Sequence, residues 1–260
     1  MSTLRIYFPL ILIGALTSQA QTSQPAEPTT PPPATDRPVS VKLLVPNMLS
    51  DQKNIWTFPA RMTHKNVWIP TVAVLGAAAA FVALDPTESA YFHKTQSFNG
   101  FNNVFSSNAT AVGTVIAPAS LLVIGLVRHD TKMSHTALLA GEAVADSEIL
   151  STVLKDATKR ARPASIPVNG GNYSDSWWDS AGSAIKGHGS FPSGHTIAAF
   201  SVATVVARRY GNHRWVPYVS YGLATVVGFS RLSLSAHFTS DVFMGAALGY
   251  AISRFAVLRQ

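Results

Sequence analysis

Between Ala109 and Val127 the chain carries no charged side chain. A segment of that length, apolar on every side, has to be covered by other helices or by lipid, because an ordinary surface helix keeps a polar face. It shows none of the polar and apolar alternation of a half-buried strand. Val72–Leu84 is a second run of the same kind, closed by Asp85 and Pro86. With 47% hydrophobic and 13% charged residues in 260, the chain suits one domain with a large apolar core or some membrane contact. The mean hydropathy of +0.19 does not choose between these.

Four more helices follow. The third is expected after Thr131, with Leu138, Leu139, Val144, Ile149, Leu150 and Val153 at helical spacing up to the neighbourhood of Arg160, and Pro163 limiting its far end. The fourth covers Ile197–Ala207, the fifth Trp215–Phe229 and the sixth Ala236–Leu258. The fold class is therefore all-α, a bundle of about six core helices without strands or internal repeats. Thr87–Asn108 reads as a polar loop with a short helix. Ile166–Ser190 is a long Gly-, Ser- and Asn-rich loop whose Trp177 and Trp178 either wall a reaction centre or pin the loop to the bundle.

Ahead of the bundle, residues 1–20 read as an export signal, with Arg5, an apolar stretch Ile6–Leu16 and a small-residue cleavage site at Ser18–Ala20. Residues 21–40, holding six prolines, form an extended linker. The domain then occupies residues 41–260, with Trp56, Phe58 and Trp68 as expected anchors of a poorly periodic stretch. No cysteine is present, so thiolate metal sites and disulfides play no part. The net charge of +7 suits an anionic substrate, an anionic membrane surface, or solubility alone.

Chemistry concentrates around Phe191–Pro192–Ser193–Gly194–His195–Thr196, where the loop ends and an apolar helix begins. The first turn of a helix has unpartnered N–H groups and the positive end of the dipole, so it binds anions. Ser193 offers a hydroxyl, Gly194 a close backbone approach, and His195 a proton near neutral pH. Lys155 and Arg162 stand upstream with six residues between them, Arg162 followed by Pro163; Ser230 and Arg231 stand downstream, with His237 after five intervening residues and Asp241 after three more.

The set Lys155…Arg162–Pro163, Ser193–Gly194–His195 and Ser230–Arg231…His237…Asp241 resembles the three-part signature of the type 2 phosphatidic acid phosphatase superfamily, which includes bacterial acid phosphatases and vanadium haloperoxidases. Every polar position of that signature is filled, over a little under half the chain.

A phosphate ester repels nucleophiles through its own charge, so its hydrolysis needs cations on the nonbridging oxygens and a positioned attacking group. Lys155, Arg162 and Arg231 can supply the cations. If the helix persists from Lys155 to Arg162, the two lie on one face about 10 Å apart. Lys159 and Arg160 read as exposed basic residues. If His237 and Asp241 share a helix, the carboxylate takes the proton of one ring nitrogen and leaves the other to attack phosphorus. His195 then protonates the departing alkoxide and activates water. The resemblance implies the same division of labour. Glu148, seven residues before Lys155, either orients it or joins Glu142 and Asp146 in a polar stripe.

The expected activity is a phosphatase of monoesters or diphosphates that needs neither metal nor other cofactor, acting on a phosphorylated lipid or a small organic phosphate. Neither nucleic acid nor an obligate protein partner is implied. His188 is the remaining histidine nearest the site; His64, His93, His129, His135 and His213 read as surface or packing residues. A vanadate-dependent haloperoxidase and a non-catalytic phospholipid-binding bundle are the alternatives. The short fourth helix favours an exported, soluble or peripheral bundle in the cell envelope, while the two apolar runs favour membrane insertion.

Overall fold

The computed structural model describes residues 37–61 and 67–259; the expected export signal, most of the linker and His64 lie outside them. Among the described residues there are helices and no strand. They are α1 (Leu44–Trp56), α2 (Phe58–Arg61), α3 (Trp68–Lys94), α4 (Asn99–Val104), α5 (Ser107–Val127), α6 (Thr131–Thr158), α7 (Gly194–Arg209), α8 (Trp215–Ser233) and α9 (Thr239–Ala251). A π-helical turn, Ile252–Val257, continues α9.

The bundle of α3 and α5–α9 is built around α7, which packs on α6, α8 and α9, while α5 lies on α6 and α3 on α9. Small side chains make this possible. Ala198, Ala199, Ala203 and Ala207 of α7 are buried with Ile197 and Val205. On the facing helix, a Cβ at Gly249 would lie 2.4 Å from the carbonyl oxygen of Ile197, so the two backbones touch. Gly245, one turn earlier, likewise faces the Ser193 carbonyl. This Gly245-x-x-x-Gly249 pair is a close-packing signal in the sequence that the helical reading passed over.

Several sequence expectations need correction. Asp85 and Pro86 do not end α3, which runs on to Lys94. Asp85 does not face water as a helix stop would; it is 1% exposed and bonded to Arg160 and Ser240. That tertiary anchoring outweighs the one backbone bond that proline forfeits. Trp56, Phe58 and Trp68 are exposed rather than anchoring. What holds α1 is polar: Arg37 grips Asp51 at 2.6 Å and Glu142 at 2.8 Å, and Gln52 donates to Asp146 at 2.9 Å. Val39 is buried in the main core, so the packed chain begins before residue 41. Glu142 and Asp146 thus form an interhelical polar cluster.

Candidate active site

Antiparallel order brings the end of α6, the start of α7, the end of α8 and the start of α9 to one end of the bundle, and each contributes a signature residue. Lys155 sits in the last turn of α6, which stops when Lys159 adopts left-handed φ 43°. Arg162 therefore does not share that helix, contrary to the expectation of two residues on one helical face. It stands in extended backbone at φ −85°, ψ 147°, ahead of Pro163, and donates to the Gly187 carbonyl at 3.1 Å.

The long loop that follows is fastened back onto this turn. Ala161 donates to Ser176 O at 2.7 Å, Trp178 to Thr158 O at 3.0 Å, and Ser190 to Arg160 O at 2.8 Å. Trp177 packs at a tilt against Phe191, 5.4 Å between centroids, whereas Trp178 is 75% exposed. One tryptophan pins the loop and the other faces solvent. His188, exposed and lying over Gly182, is held away from the centre.

At the start of α7, Ser193 makes no side-chain cap, so its hydroxyl takes none of the first-turn N–H groups. Nor does that hydroxyl stand open to an anion: it is fully buried and bonds Thr196 Oγ1 at 2.9 Å, a difference from its expected phosphate-binding use. Gly194 allows the close approach. A Cβ there would lie 3.0 Å from Lys155 Nζ and 3.4 Å from Glu148 Oε1. The ammonium and the Glu148 carboxylate thus both flank the helix start, and Lys155 is steadied by Ser151 Oγ at 3.0 Å. Burial pushes the Lys155 ammonium down, Glu148 opposing it, and burial pushes the Glu148 carboxyl up.

Two backbone carbonyls decide the histidine tautomers, since a carbonyl can only accept. His195 Nε2 donates to Ser107 O at 3.1 Å, which leaves Nδ1 unprotonated. His237 Nδ1 donates to Ser190 O at 2.8 Å, which leaves Nε2 free. The conditional reading of His237 and Asp241 on one helix is not met, because α9 begins only at Thr239. Asp241 Oδ2 lies 3.7 Å from the imidazole and instead accepts from Ser190 Oγ at 2.5 Å and Phe238 N at 2.9 Å. The carboxylate acts on the ring across a short gap rather than through its proton.

Both rings are held uncharged. Burial, then Arg231 and His237, bring His195 down to about 4. Burial lowers His237 to about 4 as well, with Asp241 opposing and Arg162 and Lys155 assisting. Burial opposes the Asp241 charge, yet His237, Arg160 and Ser190 keep it below the usual carboxylate range.

Arg231, fully buried, reaches from the end of α8 to Phe105 O at 2.9 Å and Ser107 Oγ at 3.2 Å. The corner between α4 and α5 thereby seats both Arg231 and His195. Sequence reading missed it, because Phe105–Ser107 stands more than eighty residues from either partner and carries no motif. It also misjudged Arg160: far from exposed, this residue is 1% accessible, joining Asp85 and Asp241 at 2.6 Å each. Lys159–Arg160 reads as a surface pair; only the contact with Asp85, on another helix, could have signalled otherwise.

The described residues thus gather basic side chains, two imidazoles held uncharged and a helix start at one end of an all-helical bundle. Residues 136–260 match the PAP2 superfamily. The chain is similar to lipid A 1-phosphatase of Porphyromonas gingivalis, 38% identical over 86 residues, 33% of this chain and 19% of that protein. It is also similar to phosphatidylglycerophosphatase B of Bacillus subtilis, 28% identical over 137 residues, 50% of this chain and 60% of that one. The matches thus span less than two thirds of either relative. Among solved structures, a transmembrane PAP2-type phosphatidylglycerolphosphate phosphatase from Bacillus subtilis aligns with a TM-score of 0.43 and 21% identity, over 82% of this chain and 92% of that one.

Proposed function

We propose that this protein is a phosphatase that removes phosphate from a phosphorylated lipid, through a phosphohistidine on His237. The observation that carries the reading is the gathering of Lys155, Arg162, Arg231, His195 and His237 about the first turn of α7 (each perturbs another's charge). The three cations and the helix start take the nonbridging oxygens, neutralising the charge that shields phosphorus. His237 Nε2 attacks, and the bond from phosphorus to the leaving oxygen breaks. His195 donates the proton that the alkoxide needs, then recovers one from the water that cleaves the phosphohistidine. Burial first, and the nearby cations after it, depress both imidazoles; a bound dianion opposes the cations and raises His195 toward a range in which it can donate. The scheme uses no metal ion.

The choice of a lipid rests on the surroundings. A groove of about 590 Å³ between α5, α7 and α8, lined by Gly113, Ala117, Leu121, Ala203, Leu223 and Val227, reaches Phe105, the residue that seats Arg231. Trp68–Lys94 and Ser107–Val127 are long and apolar enough to cross a membrane. They leave Val72, Leu75, Val115, Ile116 and Val123 exposed, which favours embedding in lipid over the soluble bundle preferred on sequence alone. Arg128 and Arg214 lie on the α5–α6 and α7–α8 connections, with Lys132 and Arg208 in the adjoining helix turns, at the end away from the site, so the positive-inside tendency turns the site outward, toward the envelope exterior. Both relatives are named for the dephosphorylation of a lipid.

The test is phosphate release, with EDTA present, from a panel of phosphatidic acid, lipid diphosphates and soluble phosphomonoesters. Wild type should turn over the lipids, and His237→Ala and His195→Ala should lose nearly all turnover. Retained activity in His237→Ala, or a requirement for added divalent ion, would refute the scheme.

A further inference from the structure

Arg160 is among the largest side chains fully enclosed by the protein, and no step of the reaction above uses it. Its guanidinium lies between two rings, 4.2 Å from the centroid of Trp177 and 3.9 Å from that of Phe238. One amino group donates to Asp85 Oδ2 at 2.6 Å; the other donates to Asp241 Oδ1 at 2.6 Å and Ser240 Oγ at 2.7 Å. Nε donates to Ser176 Oγ at 3.2 Å. Ser240 in turn donates to Asp85 through its hydroxyl at 2.5 Å and its N–H at 3.0 Å, so α3 braces the start of α9.

The enclosed set Asp85–Arg160–Asp241 carries one net negative charge beside His237. Stability alone does not favour such an arrangement, because apolar residues of similar volume often serve as well. Asp241 divides its oxygens: Oδ1 takes Arg160, while Oδ2 takes Ser190 and Phe238 N–H and faces the imidazole. Without Arg160 nothing holds Oδ1, and the full carboxylate charge falls on the ring.

We propose that Arg160, braced by Asp85, is a positioning residue that fixes the rotation of Asp241 and sets how much of its negative charge His237 feels. The proposal rests on His237 being the nucleophile. No proton moves along the chain of groups; the guanidinium stays charged throughout. The charged groups facing Asp241 are His237 beside it, Arg160 and Arg162 from the turn after α6, and Lys155 from α6. Asp85 stands behind Arg160, and Glu88, one turn further along α3, bonds Thr239.

Two substitutions then act in opposite senses. Arg160→Gln leaves Asp241 uncompensated and raises the basicity of His237, moving the acid limb of kcat/KM to higher pH. Asp85→Asn, which keeps the shape, releases the full Arg160 charge onto Asp241 and moves that limb to lower pH. Shifts of about half a unit or more are expected. In Arg160→Gln, kcat should fall by about tenfold or more with KM within about threefold, since the substrate contacts remain. Arg160→Lys should keep the limb near its wild-type position while losing kcat, because lysine keeps the charge but not the fork.

The full-length protein in detergent is assayed with phosphatidic acid, beside circular dichroism and inorganic phosphate binding. Limbs that move in the same direction, or not at all, overturn the proposal, as does a loss confined to KM. If Arg160→Gln does not fold, the Asp85→Asn limb decides alone: downward supports the proposal, unmoved overturns it. A wild type that releases phosphate from no ester sinks the reaction instead. His237 ring titration by NMR in the same variants then judges the charge coupling separately, by the same opposite shifts.

Discussion

Gly194→Ala sets two effects against each other. Within the first turn of α7, alanine is a better helix former than glycine by about 1 kcal/mol, so local propensity favours the variant. The new Cβ would lie 3.0 Å from Lys155 Nζ, a tight contact that the ammonium relieves only by shifting a few tenths of an ångström. Ser151 Oγ holds it at 3.0 Å, and the Glu148 oxygens stand 3.4 and 3.5 Å from the same Cβ position. The methyl group therefore displaces the ammonium by roughly half an ångström from an anion seated at the helix start. For a phosphate dianion about 3 Å away, at an effective dielectric of about 20, that displacement weakens the attraction by about 1.6 kcal/mol, roughly fifteenfold. The expected result is an unfolding temperature unchanged or higher, with kcat/KM for phosphate release and the affinity for inorganic phosphate both down by about tenfold. Thermal unfolding in detergent and steady-state phosphate release measure the two quantities on one preparation. Full activity with unchanged phosphate affinity would refute the placement of Lys155 at this helix start. Equal loss of stability and activity would show that the methyl disturbs the bundle rather than the site.

Gly249→Ala should destabilise by about 1–3 kcal/mol despite its better helix propensity, because its Cβ meets backbone at 2.4 Å, whereas Gly222→Ala, with nothing within 4 Å, should be neutral or stabilising; denaturant or thermal unfolding compares them. Stability should fall with acid: His237 and His195, both held near 4, take up protons on unfolding between about 6.5 and 4, so stability present above that window is lost as pH drops through it. The enclosed His237 contributes on the order of 3 kcal/mol of this, and His237→Gln should flatten the unfolding profile measured from pH 7.5 down to about 4. Ser107→Gly keeps the backbone carbonyl for His195 but removes one hydrogen bond to Arg231, so KM should rise by about threefold to tenfold with kcat nearly unchanged in phosphate-release assays.

The residues of the proposed site were legible in the chain as side chains suited to phosphate chemistry at short intervals: Lys155 and Arg162, Ser193 to His195, Arg231, His237 and Asp241. The helices were legible too, since uninterrupted apolar runs such as Ala109–Val127 admit few other forms. How the groups face one another was not legible. Only the folded bundle gave His237 its proton acceptor in Ser190 O, carried Arg231 and His195 to the corner at Ser107, and enclosed Arg160 between Asp85 and Asp241. Asp85 and Asp241 lie far apart in the chain, and their shared guanidinium depends on α3 lying against α9. Local sequence sets which groups are present and the helical period; the environment of a charge is set by whatever distant helix supplies its partner, and short-range pattern carries no record of that.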